Sequence, residues 1–267
     1  MRPVRMFAVA ALSAIASLTT ALPALAAPVE VAAINYVALG DSYSSGVGTG
    51  SYIGSSGSCK RSNYAYPALW AAAHPGTSFQ FVACSGARTG DVLNGQLGPL
   101  NASTTLASIS IGGNDAGFTD VITTCTFGSD QDCVNRTNTA KAYAQNTLPG
   151  LLDNVYAQIR GRAPSAKVVV IGYPRMYKVP GSCSVGLSDT KRSAINSASD
   201  VLSSVIAGRA AARAFTYQDV RGAFTGHEIC SADWWLNSLS WPVEESYHPN
   251  RNGQRLGYLP ALTAAAG

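Results

Sequence analysis

Four short segments bring together residue types able to do acyl-transfer chemistry. Gly40-Asp41-Ser42 follows directly on the apolar run Tyr36-Val37-Ala38-Leu39, so a serine hydroxyl opens a Gly/Ser-rich loop just past a strand. G-D-S alone is also ordinary turn chemistry, and Asp41 there has the simple job of bonding the turn. A base must therefore be found, and the chain has three histidines. His74 precedes Pro75-Gly76 at a helix end, where an imidazole meets the last carbonyls. His227 lies beside Cys230, in a loop that a disulfide would pin. His248, in Ser246-Tyr247-His248-Pro249-Asn250, sits in a Pro-bounded loop before the last helical stretch and is best placed to face a cleft. Donors for a developing oxyanion come from two further loops. Gly112-Gly113-Asn114-Asp115 ends one apolar run and supplies a side-chain amide, and Cys84-Ser85-Gly86 ends another and supplies a glycine N–H.

Other chemistries lack their residues. Gly46-Val47-Gly48-Thr49-Gly50 imitates a dinucleotide fingerprint, but position 51 is Ser where the third glycine is required. There is no P-loop, no H-E-x-x-H, and no G-x-S-x-G elbow.

These segments need a scaffold. Apolar, β-branched runs at Tyr36–Leu39, Phe79–Ala83, Leu106–Ile111, Lys167–Gly172 and Phe215–Gln218 read as strands, with Val168–Ile171 apolar throughout as a doubly covered strand requires. Helical patterns fall at Tyr64–Ala73, about Asn138–Arg162, Asp189–Arg213 and Asn252–Ala266, with Ser188 a start signal and His74-Pro75-Gly76 a stop. The alternation predicts one α/β domain, residues 34–267, with three α/β/α layers and a central, mostly parallel five-stranded sheet. Polar, Gly-rich segments at 44–63, 84–104 and 125–137 read as loops, and a site belongs at the carboxyl ends of the strands.

The 267 residues carry a net charge of +4, which falls by two if Arg2 and Arg5 leave with a leader, and no Lys/Arg run exceeds two. That excludes a nucleic-acid footprint. Arg2 and Arg5, an apolar stretch from about Met6 to Leu22, Pro23, and Ala24-Leu25-Ala26 have the order of a secretory signal peptide, residues 1–26, with processing extending to about 33 as the alternative. No later stretch is long and apolar enough to span a membrane. Export suits six cysteines, which allow fifteen pairings; nearness in sequence suggests Cys59 with Cys84, Cys125 with Cys133, and Cys183 with Cys230. Each bridge would contribute about 2–4 kcal/mol. No C-x₂-C pair or suitably spaced His supports zinc.

Ser, Gly, Asn and His, in that order at strand ends, resemble the SGNH (GDSL) hydrolase superfamily, from about residue 35 to 260. The first block is Ala38-Leu39-Gly40-Asp41-Ser42-Tyr43-Ser44-Ser45-Gly46, with Tyr43 where the eponymous Leu would stand. Gly86, Gly112–Asp115 and His248 match the later blocks. Size and cysteine count make the chain similar to the secreted actinobacterial GDSL lipases and esterases. The resemblance implies a flavodoxin-like fold, sequential disulfides, Ser42 as nucleophile, His248 as base, and an oxyanion hole of the Ser42 and Gly86 N–H groups and the Asn114 amide. It implies no metal or organic cofactor. It places an Asp three residues before the His; this chain has Glu245 there, beside Glu244, so His248 is oriented by Glu245 or by a backbone carbonyl, that of Ser246 being favoured. The expected protein is a secreted, monomeric carboxylic ester hydrolase acting on acylglycerols and simple esters. Near-neutral charge and Tyr43, Tyr52, Trp234, Trp235, Trp241 and Tyr247 suit an uncharged acyl chain. A phospholipase A1-type acyl hydrolase is the nearest alternative, followed by a carbohydrate deacetylase or a non-catalytic surface-binding domain.

Overall fold

The computed structural model describes residues 33–181, 183 and 186–267, together with Pro3 and Met6. The segment read as a leader therefore lies, apart from those two residues, outside the described residues.

Five strands, β1 (Asn35–Gly40), β2 (Ser78–Phe81), β3 (Leu106–Ser110), β4 (Lys167–Ile171) and β5 (Thr216–Gln218), form one sheet in the order β2-β1-β3-β4-β5. Every pairing is parallel, with Tyr36 opposite Leu106 and Ile109 opposite Val170. β3 is buried along its whole length and β1 from Tyr36 onward, while the edge strand β2 alternates exposed and half-buried positions. Val168 to Ile171 are all buried, each contributing about 1.5–3 kcal/mol. The two serine hydroxyls of β3 are satisfied: Ser108 Oγ lies 2.6 Å from Tyr36 OH, and Ser110 Oγ donates to the Ile171 carbonyl at 2.8 Å.

The helices in chain order are α1 (Ser42–Ser45), α2 (Tyr66–Ala73), α3 (Thr89–Asp91), α4 (Phe118–Phe127), α5 (Asp130–Asn146), α6 (Leu148–Arg162), α7 (Asp189–Ala211) and α8 (Leu259–Ala266). α2 and α8 pack together on one face, α8 against β4 and β5; α6 and α7 pack together on the other, with α5 and α4 leaning on α7. Ser188 caps α7 by accepting from Lys191 N, and α2 ends at His74.

Two helical readings are corrected. The polar 125–137 segment is not a loop: it holds the end of α4 and the first half of α5, joined by Gly128-Ser129. Ser129 and Asp132 form a reciprocal capping box, and α5 buries the small residues Cys133, Thr137, Ala140 and Ala144 on one stripe. A stripe of small, mostly polar residues carries little hydropathy signal. The stretch 138–162 is two helices, because Pro149 sits in the first turn of α6, where its missing N–H costs nothing. Pro260 plays the same part ahead of α8, and residues Gly253–Tyr258 run in a wider π-helical turn.

The strand order reverses at β1, since the chain passes from β1 to β2 on one side and then to β3 on the other. Loops leaving β1 and β3 diverge over opposite faces, and a crevice opens between them.

Candidate active site

β1 ends at Gly40, whose φ of +120° only glycine adopts easily; a side chain there would also meet the Ser110 backbone and Ser44 Oγ. The chain then turns sharply. Asp41, extended and 1% exposed, caps α1 by accepting from Tyr43 N at 3.0 Å, and its own N–H donates to Ser110 O at 2.9 Å. Ser42 is thereby the first helical residue, with its side chain over the crevice.

His248 reaches the same point from the other side. Its Nε2 lies 2.8 Å from Ser42 Oγ, and its Nδ1 lies 2.8 Å from the Ser246 carbonyl oxygen. A carbonyl only accepts, so the ring proton belongs on Nδ1 and the Nε2 lone pair accepts from the serine hydroxyl. Burial holds the imidazole down to about 4, against the opposing pull of the Ser246 and Glu245 carbonyls. The ring is consequently neutral at ordinary pH and free to take a proton.

The carbonyl is brought round by Tyr247, which stands between Ser246 and His248 at φ +61°, in the left-handed region. Such a conformation costs a bulky residue about 1–3 kcal/mol and persists only when its surroundings hold it. Here the Tyr43 hydroxyl donates to Tyr247 O at 2.9 Å, and Tyr247 N donates to Asn237 O at 3.0 Å. Asn237 Nδ2 also donates to Gly48 O and Glu245 O, at 3.0 and 3.2 Å.

The Glu245 carboxylate makes no hydrogen bond to His248; its Oε1 accepts from the Tyr52 hydroxyl at 2.7 Å. Glu244 pairs with Lys60 at 2.5 Å, near the surface.

Three N–H groups surround the serine. Neither Ser42 N–H nor Gly86 N–H has an acceptor among the described residues. Gly86 has φ +76° and open space where a Cβ would be. Asn114 donates one amide hydrogen to Ala87 O at 3.0 Å, which fixes the plane of the amide and leaves the second hydrogen for the crevice. Asp115 accepts from Thr89 N at 3.1 Å and Thr89 Oγ1 at 2.6 Å, so the loops carrying Gly86 and Asn114 are tied together.

Tyr173, just past β4, was not singled out in the sequence. Its hydroxyl donates to Asp41 Oδ2 at 2.5 Å and accepts from Gly113 N at 3.2 Å, linking the serine turn to the Asn114 loop. Burial pushes the Asp41 carboxyl up to about 7, although bonds from Tyr173 and Tyr43 N oppose the rise. A tyrosine at the carboxyl end of a central strand was the available signal. Thr89 opens the short helix α3 and Asn237 lies in a loop, and neither gave a signal; Tyr52, read as suited to an acyl chain, instead bonds Glu245.

The other histidines stand apart. His74 bonds Trp70 O at 2.7 Å, closing its helix, and His227 stacks on Trp235 with its Nδ1 3.0 Å from Asp233 O. Of the aromatics singled out, Tyr43 and Tyr247 are buried at the site, Trp235 is buried against His227, and Trp241 is exposed. Cys59–Cys84, Cys125–Cys133 and Cys183–Cys230 are bonded pairs. The first holds the loop after α1 to the strand end beside Gly86.

A cleft of about 390 Å³ holds Ser42, Gly86, Asn114 and His248, with Phe118, Ile122, Leu239 and Val243 on its walls. A narrower apolar pocket of about 60 Å³ runs from Ser42 and Asn114 between α4, α5 and α7, past Val121, Ala140, Ala144, Ile195 and Leu202. No helix among the described residues is long and apolar enough to cross a membrane.

A hydroxyl poised on a neutral imidazole, facing an apolar slot in a flavodoxin-like sheet, defines the class: a serine ester hydrolase. The family described as GDSL-like Lipase/Acylhydrolase matches residues 38–256, and the chain belongs to it. It is 62% identical to Lipase 1 of Streptomyces coelicolor over 256 residues, 96% of this chain and 95% of that protein. The crystal structure of the extracellular lipase from Streptomyces rimosus superposes with a TM-score of 0.86 at 60% identity, covering 87% of this chain and all of that one. That of phospholipase A1 from Streptomyces albidoflavus gives the same score and identity over 88% of this chain and all of that one.

Proposed function

We propose that this protein is an exported, monomeric carboxylic ester hydrolase that cleaves acylglycerols and simple esters through Ser42 and His248. The observation that carries the reading is the continuous line from Ser42 Oγ through His248 to the Ser246 carbonyl, opening on an apolar slot. His248 Nε2 takes the hydroxyl proton as Ser42 Oγ bonds to the ester carbon. The carbonyl oxygen becomes an oxyanion, held by the Ser42 and Gly86 N–H groups and the Asn114 amide. Donors of this kind contribute about 2.7–4 kcal/mol each to the transition state. When the tetrahedral adduct collapses, the C–O bond to the alcohol breaks and His248 returns the proton to the leaving oxygen. Water, deprotonated by the same imidazole, attacks the acyl-serine and releases the acid and Ser42. The chemistry is complete with this chain's own groups and water.

The acyl chain enters the slot between α4, α5 and α7, whose lining past Val121, Ala140, Ala144, Ile195 and Leu202 is apolar. A phospholipase A1-type specificity is the second reading, supported by the wider cleft around Gly86 and His248 and by the likeness to phospholipase A1 from Streptomyces albidoflavus. Reaction with an organophosphonate, peptide mapping and Ser42→Ala test the chemistry. A single adduct on Ser42 and an inactive variant are expected; an adduct elsewhere with Ser42→Ala active overturns it. Tributyrin, phosphatidylcholine labelled at each acyl position, and acetylated xylan separate lipase, phospholipase A1 and deacetylase. N-terminal sequencing of the exported protein tests removal of residues 1–26, and sedimentation tests the monomer.

A further inference from the structure

Large apolar side chains stand free of the surface at few places, and four of those places are grouped. Phe127 is 84% exposed, Leu239 62%, Trp241 89% and Val243 56%. Phe127, at the end of α4, lines the catalytic cleft on one side; Leu239 and Val243 line it on the other, with Trp241 between them in sequence. Exposed apolar groups concentrated on the two lips of one cleft mark an interaction surface.

Charge selects the partner. On the lip segments 118–127 and 239–248 the ionic side chains are acidic, and each has a partner within the fold. Asp120 lies 3.4 Å from Arg136, Glu244 is paired with Lys60, and Glu245 accepts from Tyr52. Neither lip carries a cation that would seek an anionic surface. A protein seated here would cover the mouth leading to Ser42 and stop turnover, whereas a lipid surface would deliver acyl chains to it. We propose that Phe127 and the Leu239–Val243 segment insert into the surface of an uncharged or zwitterionic lipid aggregate, setting the cleft mouth on its own substrate phase. Trp241 suits the headgroup level, with an apolar body and one polar edge. This inference rests on the ester-hydrolase reading of the cleft.

The test uses Ser42→Ala protein, which binds without turnover, and phosphatidylcholine vesicles. Flotation with the vesicles and a blue shift of tryptophan fluorescence are expected, the shift vanishing in Trp241→Phe. Adding Trp241→Ser to Ser42→Ala should lower the partition coefficient about tenfold, and Phe127→Ser should lower it comparably. With Ser42 intact, Trp241→Ser should hydrolyse p-nitrophenyl acetate as the parent does, since Trp241 lines neither the cleft nor the slot. Absence of flotation, flotation indifferent to both substitutions, or binding confined to anionic vesicles overturns the proposal. So does sedimentation as a dimer that Trp241→Ser dissociates. A protein that floats but cleaves no ester refutes the hydrolase reading and leaves the lipid contact standing. One that cleaves soluble esters but never floats does the reverse.

Discussion

The Tyr52 hydroxyl donates to Glu245 Oε1 at 2.7 Å, and this contact takes the carboxylate out of reach of His248. Three residues before the histidine, Glu245 has the offset of a third triad member, but it anchors the 243–248 turn to the loop after α1. His248 is left with the Ser246 carbonyl at 2.8 Å. That acceptor supplies orientation and a partial charge, whereas neutralising the carboxylate of a true triad costs about 10⁴ in rate. Glu245→Gln and Glu245→Ala are therefore expected to keep kcat/KM within about tenfold of the parent, while His248→Ala loses several orders of magnitude. A folded Glu245→Ala as inactive as His248→Ala would restore the carboxylate to the catalytic machinery.

The imidazole environment sets the acid limb of activity. His248 must be neutral to accept the serine proton, and burial lowers it from 6.5 to about 4. On a soluble ester, kcat/KM should rise with pH through a midpoint below 6.5 and be flat by neutrality. Stability follows the same group. Between about 4 and 6.5 the unfolded chain binds a proton that the folded one refuses, so this contribution is present above 6.5 and is lost as pH falls toward 4. A rate midpoint at or above 6.5 would show an imidazole that is not desolvated.

Tyr43 links the serine turn to the histidine loop, because its hydroxyl donates to the carbonyl of the left-handed Tyr247. Tyr43→Phe keeps the buried ring and removes the donor, leaving a buried carbonyl unpaired at about 1–3 kcal/mol. With that support gone, the Ser246 carbonyl is less firmly aimed at Nδ1. The expected result is a lower Tm and a kcat reduced about tenfold with KM little changed, since the ring that Tyr43 presents to the acyl slot is kept. A rise in KM with kcat unchanged would place Tyr43 in substrate binding instead.

Much of this arrangement was legible. Apolar and β-branched runs gave all five strands to within a residue or two, most plainly β4, where a strand covered on both faces carries an unbroken hydropathy signal. Ser42, Gly86, Asn114 and His248 stood out because each follows a strand or precedes the last helix beside glycine or proline. Their meeting was not legible, since 206 residues separate Ser42 from His248. The first half of α5 was missed for another reason: polar side chains cover it, and its buried stripe is made of small residues. Tyr52, Thr89 and Asn237 act through hydrogen bonds to residues far off in sequence, which no local pattern records.

Asp41 and Tyr173 provide a test of the support beneath the serine. The Tyr173 hydroxyl donates to Asp41 Oδ2 at 2.5 Å and accepts from Gly113 N, so one oxygen steadies both the Ser42 turn and the loop that carries Asn114. Burial raises the Asp41 carboxyl from 3.8 to about 7, and the Tyr173 bond opposes that rise. The folded protein therefore holds a proton here that the unfolded chain releases. This contribution to stability is full below about 3.8 and declines as pH rises through about 7. Tyr173→Phe removes the opposing bond, moves the carboxyl higher still, and leaves the ionised form with one donor fewer. Unfolding free energies from urea titrations at pH 5 and pH 8 should both fall, and the fall at pH 8 should be the larger, by about 1 kcal/mol or more. Because Gly113 loses its acceptor, kcat should drop even at pH 5, where Asp41 keeps its proton. An equal loss of stability at the two pH values would mean that Asp41 does not titrate between them, and that the hydroxyl acts only as packing and as a partner for Gly113.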